Sequence, residues 1–466
     1  MAAIIDKIYE QSPVWAQNIG ISLFGYHWQK RRFGGVFEEE LRQVKLRESY
    51  TSAQWRSYQT RQLRQLLLHA WETVPFYRAK YNDIGLSIEK IKLFELEDLS
   101  ALPFLEKDEL RQYGTTDLLS SKREKKGAFY SSSGSTGTPT QILFSEAMHQ
   151  RWSAAFEARI RHWAGLSRKD ARGMIGGRRV VREGISKGPF YRYNFFEKQV
   201  YFSAYHLSAA TAPDYLEGIR NHQLQYMTGY AMSNYFLARF IEESGLSAPP
   251  LKAVITSSEK LTNEMRETFK RVYHCKSYDS YSGVEACGMI SENEHGQLLV
   301  SPDVGIIEIL KEDGSKCAPG ETGEAVCTGL INYDQPLIRY RIGDLLCLGR
   351  DQSPKCGRNM PVIDEISGRI EDTVIGLDGR EMVRFHGIFV QIAAIVEGQI
   401  IQHTLRDFEI RVVVSKPLKQ DEIIILQQRM RSQLGDIILV INETETISRN
   451  QNGKFKAVIS HVKRDS

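Results

Sequence analysis

Between Leu224 and Tyr281 the chain alternates short apolar runs with longer amphipathic stretches, and this limits the fold more than any other feature. Residues 224–227 read as a strand ending near Gly229, 231–243 as a helix, 251–256 as a buried strand, 262–272 as a helix and 276–281 as a strand. Strands interleaved with helices predict an α/β sheet. Ligands of such sheets gather at the carboxyl ends of the strands. Two polar clusters stand at those ends: Ser257-Ser258-Glu259, and Tyr278-Asp279-Ser280-Tyr281-Ser282-Gly283-Val284-Glu285. Glu285 is a carboxylate in a glycine-containing loop after a strand, which suits a hard cation such as Mg²⁺. Read alone it is a surface carboxylate; its place in a set raises it.

Upstream, Tyr130 to Gln141 reads Tyr-Ser-Ser-Ser-Gly-Ser-Thr-Gly-Thr-Pro-Thr-Gln. Ser132, Ser133, Ser135 and Thr136 supply hydroxyls, and Gly134 and Gly137 let successive N–H groups turn the same way. A loop of that kind wraps phosphates. Residues 127–130 and 142–144 flank it as short strands, a hairpin setting that a flexible Ser/Gly linker lacks. No lysine closes the loop, so it is not a Walker A sequence.

With 466 residues, 42% of them hydrophobic and 25% charged, the chain has room for more than one domain. A net charge of +4 does not by itself call for a nucleic-acid partner. Six scattered cysteines without a Cys-x-x-Cys pair predict a reduced, cytoplasmic chain. No basic-then-apolar leader opens the sequence, and no apolar run approaches the ~20 residues of a membrane span. Residues 13–24, with Trp15, Leu23 and Phe24, precede Lys30-Arg31-Arg32. That stretch reads either as a helix resting on a membrane surface or as one packed on the domain behind it; packing is preferred, because the basic cluster is short.

Residues 52–82 read as helix with a break near Pro75 and Ser52 as N-cap, and 146–163 as another. The Gly- and Arg-rich segment 172–187 reads equally as a holder of an anionic substrate or coenzyme and as a solvated loop. Residues 301–348 are β-rich; Asp344 can accept hydrogen bonds from two vicinal hydroxyls, and Arg339 and Arg341 read as ion-pair partners on a strand. Leu377-Asp378-Gly379-Arg380 is a hairpin turn. Beyond it, 388–397 read as helix, 408–414 as strand, 421–434 as helix and 437–441 as strand, a separate small α+β domain. Lys454 stands near its end in a polar turn.

Taken in order, these pieces resemble the adenylate-forming superfamily of acyl-CoA synthetases and adenylation domains. Within it the chain looks most like the phenylacetate–CoA ligase branch. Trp15-Ala16-Gln17-Asn18, Arg31-Arg32-Phe33-Gly34-Gly35 and Val74-Pro75-Phe76-Tyr77 are similar to its capsular-polysaccharide-biosynthesis, CapK-like subgroup. The resemblance implies a large N-terminal ATP- and acid-binding domain, 1–367, made of α/β sheets and a β-rich part, and a small mobile C-terminal α+β lid, 368–466. It places Ser132, Ser133, Gly134, Ser135, Thr136 and Gly137 over the ATP phosphates. Ser258, Glu259, Asp279, Ser280 and Tyr281 would line the adenine pocket, and Glu285 would hold Mg²⁺. Asp344 would bind the ribose, Arg369 would lie at the domain junction, and Lys454 would be the mobile catalytic lysine.

The implied reaction is activation of a small carboxylic acid as an acyl-adenylate, then transfer to coenzyme A. Two alternatives stand beside it: an amide ligase with an amine acceptor, and a nucleotide-binding scaffold without turnover. Some members of the branch carry a structural zinc. Cys287, His295 and Cys356 are three candidates for a site that needs four ligands, so no zinc site is expected. The acid pocket should lie between 226–229 and 280–289, where Gly283, Val284, Ala286 and Gly288 are small enough either to admit a ring or to pack tightly.

Overall fold

A computed structural model describes residues 8–131, 140–176, 178, 180–182, 185, 187–204, 206–259, 261–369, 373–377, 381–383, 386–389, 392, 394–414, 416–445, 447 and 458–462. The phosphate-loop residues 132–137 and Lys454 lie outside them.

The strands in chain order are β1 (Ala128–Ser131), β2 (Gln141–Phe144), β3 (Arg172–Gly176), β4 (Tyr191–Asn194), β5 (Gln199–Ser203), β6 (Tyr226–Tyr230), β7 (Ala253–Ser257) and β8 (Lys276–Ser282). Next come β9 (Met289–Glu292), β10 (Leu298–Val300), β11 (Gly305–Leu310), β12 (Thr322–Gly329), β13 (Tyr340–Leu348) and β14 (Val362–Arg369). The last are β15 (Thr373–Ile375), β16 (Glu381–Val383), β17 (Ile395–Gln402), β18 (Asp407–Val414), β19 (Ile438–Glu443) and β20 (Val458–Ser460).

Among the described residues one 12-stranded sheet runs β11-β12-β13-β14-β10-β9-β8-β7-β6-β3-β5-β4. Strands β5, β3, β6, β7 and β8 are mutually parallel, as the strand–helix alternation predicts. Helix Ala231–Glu243 has the expected limits, and helix Asn263–Tyr273 starts behind Thr262, whose hydroxyl accepts the N–H of Met265. From β8 to β11 the sheet is antiparallel. One apolar core, including Leu63, Leu66, Tyr77, Ile255, Met289 and Ile338, joins the N-terminal helices to the antiparallel half. A second, including Ile175, Phe202, Tyr215, Leu237 and Phe269, lies between the parallel strands and their helices.

The N-terminal helices follow the sequence closely. Pro75 cannot continue a helix from the residue before it, and the chain divides into Ser52–Thr73 and Pro75–Asp83. The cap of the first is Thr51, not Ser52: its hydroxyl accepts the N–H of Gln54 in a capping box. Helix Val14–Phe33 turns Gln17, Asn18 and Ser22 inward beside Ile21 and Trp28, and leaves Trp15, Ile19 and Leu23 exposed. The reason is β4, an edge strand of the sheet. Asn18 Oδ1 accepts the N–H of Tyr193 at 3.0 Å, and Ser22 Oγ donates to Tyr193 O at 3.4 Å and accepts Phe195 N–H at 3.0 Å. The helix closes a row of strand groups that would otherwise lack partners.

The C-terminal residues form a β15-β16 hairpin and a four-stranded sheet, β19-β18-β17-β20, covered by helix Gln420–Leu434. Their core includes Val374, Ile400, Phe408, Ile410, Leu426, Met430 and Val458. Residues 378–380 of the turn expected at 377–380 lie outside the described residues; β15 and β16 on either side pair with Ile375 opposite Glu381. The helix expected over 388–397 is corrected: among the described residues helix is found at His386–Phe389, and Ile395 begins β17. A mostly apolar stretch, broken by Gln391, fits a doubly covered strand as well as a helix.

Candidate active site

The carboxyl ends of the parallel strands form one edge. Across it Ile175 stands beside Gly229, Gly229 beside Thr256 and Thr256 beside Asp279. One step further Tyr230, Ser257, Ser280 and Ser291 make the next row. Strand β3 lies between β5 and β6, so the chain order reverses there, the point at which sheets of this kind place their ligand crevice. Gly229 has φ +119, and a Cβ there would collide with the carbonyl of Ile175; only glycine fits.

The residues expected to line a nucleotide site fall on or near this edge. Ser258 and Glu259 follow β7, and Ser258 takes φ +68, a left-handed conformation uncommon for serine. Asp279, Ser280 and Tyr281 are the last part of β8. Ser280 Oγ donates to Thr256 O at 2.9 Å. The N–H of Asp279 donates to Glu292 Oε2 at 2.7 Å, and Arg266 holds Glu292 with two nitrogens at 2.9 and 3.0 Å. Arg266 and Glu292 therefore fix the backbone of the Asp279 segment, a role that the spacing of sequence motifs does not reveal.

Glu285 is buried in the turn between β8 and β9, with its carboxylate folded over Gly283. Ala286 closes that turn by donating to Gly283 O at 3.1 Å, and has φ +48. Ser258 and Ala286, together with Arg339 at φ +48 before β13, put left-handed non-glycine residues on three loops leading to or from these strands. Such residues cluster where structure is held for function.

Asp344 reaches the group from the antiparallel half. Glu324 pairs with Leu345 and Val326 with Arg341, so Ile342, Gly343 and Asp344 stand opposite Ala325 alone. This bulge, with Gly343 at φ +81, interrupts the ladder where Asp344 sits. The phenol of Tyr281 donates to Asp344 Oδ2 at 2.7 Å. Burial, and then the neighbouring Asp344 carboxylate, hold the Tyr281 phenol well above the ordinary tyrosine range, so it stays a proton donor. On the other side of β13, Asp344 is the register partner of Arg369 in β14.

Several of the singled-out residues are engaged within the fold. Arg172, offered as an anion holder, is buried in β3: it donates to Glu197 O at 3.1 Å and pairs with Glu197 Oε1 at 3.2 Å. Arg339 and Arg341 are ion-pair partners, to Glu308 at 2.9 Å and to Glu324 at 2.5 Å. Cys287 is buried beside Cys327, Cys356 packs near Trp55 and Trp163, and His295 occupies the turn between β9 and β10. Among the described residues no group of three or more His, Cys, Asp or Glu is placed to hold a metal ion.

Residues 379–461 match the family model described as the CapK C-terminal domain. Protein CapK of Staphylococcus aureus is 25% identical over 429 residues, 90% of this chain and 91% of that one. Phenylacetate-coenzyme A ligase of Escherichia coli (strain K12) is 28% identical over 333 residues, 68% of this chain and 71% of that protein. Among solved structures, 2-hydroxyisobutyryl-CoA ligase in the postadenylation state with R3-HIB-AMP has a TM-score of 0.60 at 20% identity, covering 89% of this chain and 91% of that one. The chain has the fold of these ligases, an α/β body with a C-terminal domain. The expected kinship with the phenylacetate–CoA ligase branch and with CapK holds.

Proposed function

We propose that the protein activates a small carboxylic acid with ATP, forming an acyl-adenylate and pyrophosphate, and then passes the acyl group to a thiol, coenzyme A. The observation that carries this reading is the convergence of Ser258, the Asp279–Tyr281 segment, Glu285 and Asp344 at one strand edge of an adenylate-forming fold. The similarity to phenylacetate-coenzyme A ligases supports coenzyme A as acceptor.

In this reading Ser258, Glu259, Asp279, Ser280 and Tyr281 receive the adenine, and Asp344, oriented by Tyr281, accepts the ribose hydroxyls. Ser132, Ser133, Gly134, Ser135, Thr136 and Gly137 cover the phosphates. Glu285, a buried carboxylate of the kind a hard cation selects, holds Mg²⁺, which when bound neutralises phosphate charge. Lys454 brings its cation to the carboxylate and α-phosphate as pyrophosphate leaves. The small domain, from residue 368 onward, turns about residues 368–371, with Arg369 at the junction, and withdraws Lys454 before the second step.

A second reading keeps the adenylate and changes the acceptor to an amine. It is favoured by the similarity to CapK, which spans 90% of this chain and includes the C-terminal domain that the acceptor would meet. Incubation with ATP, an acid and either coenzyme A or a set of amines separates the two. AMP release that coenzyme A accelerates supports the thiol; acceleration by an amine alone supports the second reading; no AMP with any acid contradicts both.

A further inference from the structure

We propose that the outer face of helix Val14–Phe33, with the turn between β4 and β5, docks the protein on an anionic lipid bilayer. The inner face of the helix is largely polar: Gln17 donates to Tyr9 O at 2.8 Å and accepts from Arg192, Asn18 and Ser22 bind the β4 edge, Arg31 donates to Phe144 O at 2.7 Å, and Arg32 pairs with Glu197, beside the apolar Ile21 and Trp28. Several large apolar residues are left outside, with Trp15 67%, Ile19 53%, Leu23 61%, Phe24 48% and Tyr26 41% exposed. The β4–β5 turn extends this surface: Phe195 is 67% exposed, and Phe196 lies 5.0 Å from Tyr26, ring to ring. A contiguous apolar face of this kind on a water-soluble chain marks a contact surface.

Charge decides the occupant. Helix Val14–Phe33 contains no Asp or Glu; in its last turn Lys30 is exposed, while Arg31 and Arg32 are engaged with the protein. Lys30 Nζ lies 4.4 Å over the Tyr26 ring, and the Arg178 guanidinium 5.5 Å over Phe24, so cations rim the aromatic stripe. In the turn, Lys198 is exposed while the one acid, Glu197, is 4% exposed and spent on Arg32 and Arg172. Exposed Glu146 lies 3.9 Å from Arg31, at the basic end of the helix. Aromatic and aliphatic side chains between cations suit the boundary between acyl chains and anionic headgroups. Among the described residues no helix is long and apolar enough to cross a membrane, so the helix would lie in the surface.

Flotation of the full chain with vesicles of equal parts phosphatidylglycerol and phosphatidylcholine tests this. Binding is expected to the mixed vesicles, to weaken as salt rises, and to fall roughly tenfold or more in Trp15→Ser/Leu23→Ser. Brominated acyl chains should quench the fluorescence of the native chain and lose that part of the quench in Trp15→Phe. The substituted positions are exposed, so an unchanged melting curve confirms that the variants fold. No binding to mixed vesicles, or undiminished binding by the double variant, overturns the proposal. A dimer that the double variant abolishes, with no vesicle binding, assigns the face to a second copy and also overturns it.

Discussion

Tyr281 and Asp344, 63 residues apart in sequence, meet where the parallel half of the sheet faces the antiparallel half, joined by a 2.7 Å hydrogen bond from phenol to carboxylate. Each is buried: Tyr281 is 6% and Asp344 5% exposed. Removing the donor from a buried carboxylate costs about 1–3 kcal/mol. Tyr281→Phe is therefore expected to lower unfolding free energy by that amount and to weaken ATP binding, since Asp344 loses the group that orients it. Urea unfolding and titration calorimetry measure the two effects; no change in either would remove the pair from the account.

A second buried cluster ties the N-terminal helices to the sheet. Asp303 accepts from Arg47 Nε at 2.8 Å and from both terminal nitrogens of Arg159, one of them at 2.9 Å. Burial raises the Asp303 carboxyl, but Arg159 and then Arg47 more than offset it and hold the group below the ordinary range. Arg159→Met leaves the charge half-compensated, and a loss of about 3–5 kcal/mol is expected. Replacing Asp303 and both arginines with apolar residues of similar volume should recover much of that loss. Urea midpoints of the two variants compare them.

His149 sets an acid limit. It packs against Trp28 at 5.0 Å and Phe144 at 5.4 Å. Burial first, then Arg32 and Arg31, lowers it from 6.5 to about 3. The unfolded chain takes up a proton below about 6.5 that the folded chain refuses until about 3. Stability from this group is therefore complete above 6.5 and is lost as pH falls toward 3, by up to ~1.4 kcal/mol per pH unit. His149→Phe should flatten that part of the profile, read from urea midpoints between neutral and mildly acid pH.

Lys454→Ala separates the two proposed half-reactions. Loss of a cation that acts only on the developing charge should slow adenylate formation by roughly 10²–10³-fold. Transfer from a supplied acyl-adenylate should change far less, because the second step proceeds with the lysine withdrawn. Equal slowing of both steps would contradict the assignment.

The parallel sheet was legible because each strand and helix between Leu224 and Tyr281 has its own period and punctuation. Helix Ala231–Glu243, for example, begins where the short strand ends at Tyr230. The clustering of Ser258, Asp279–Tyr281 and Glu285 followed from where strands end. Less local features were hidden. The bulge at 342–344 depends on what β13 pairs with, and Gly343 alone does not announce it. Apolar periodicity located a helix near Trp15 but not its direction, because the reason for turning Asn18 and Ser22 inward, an uncovered edge on β4, lies more than 170 residues away at Tyr193. Likewise Ile388 to Val396 is apolar apart from Gln391 and lacks the alternation that tells strand from helix.

Exchange of radiolabelled pyrophosphate into ATP, run with a panel of aromatic, aliphatic and uronic acids, tests the central claim most directly. The account predicts exchange that requires one class of carboxylic acid and Mg²⁺ and that Asp344→Asn depresses. A chain that binds ATP yet catalyses no exchange with any acid in the panel would be a nucleotide-binding scaffold, and the account would be contradicted.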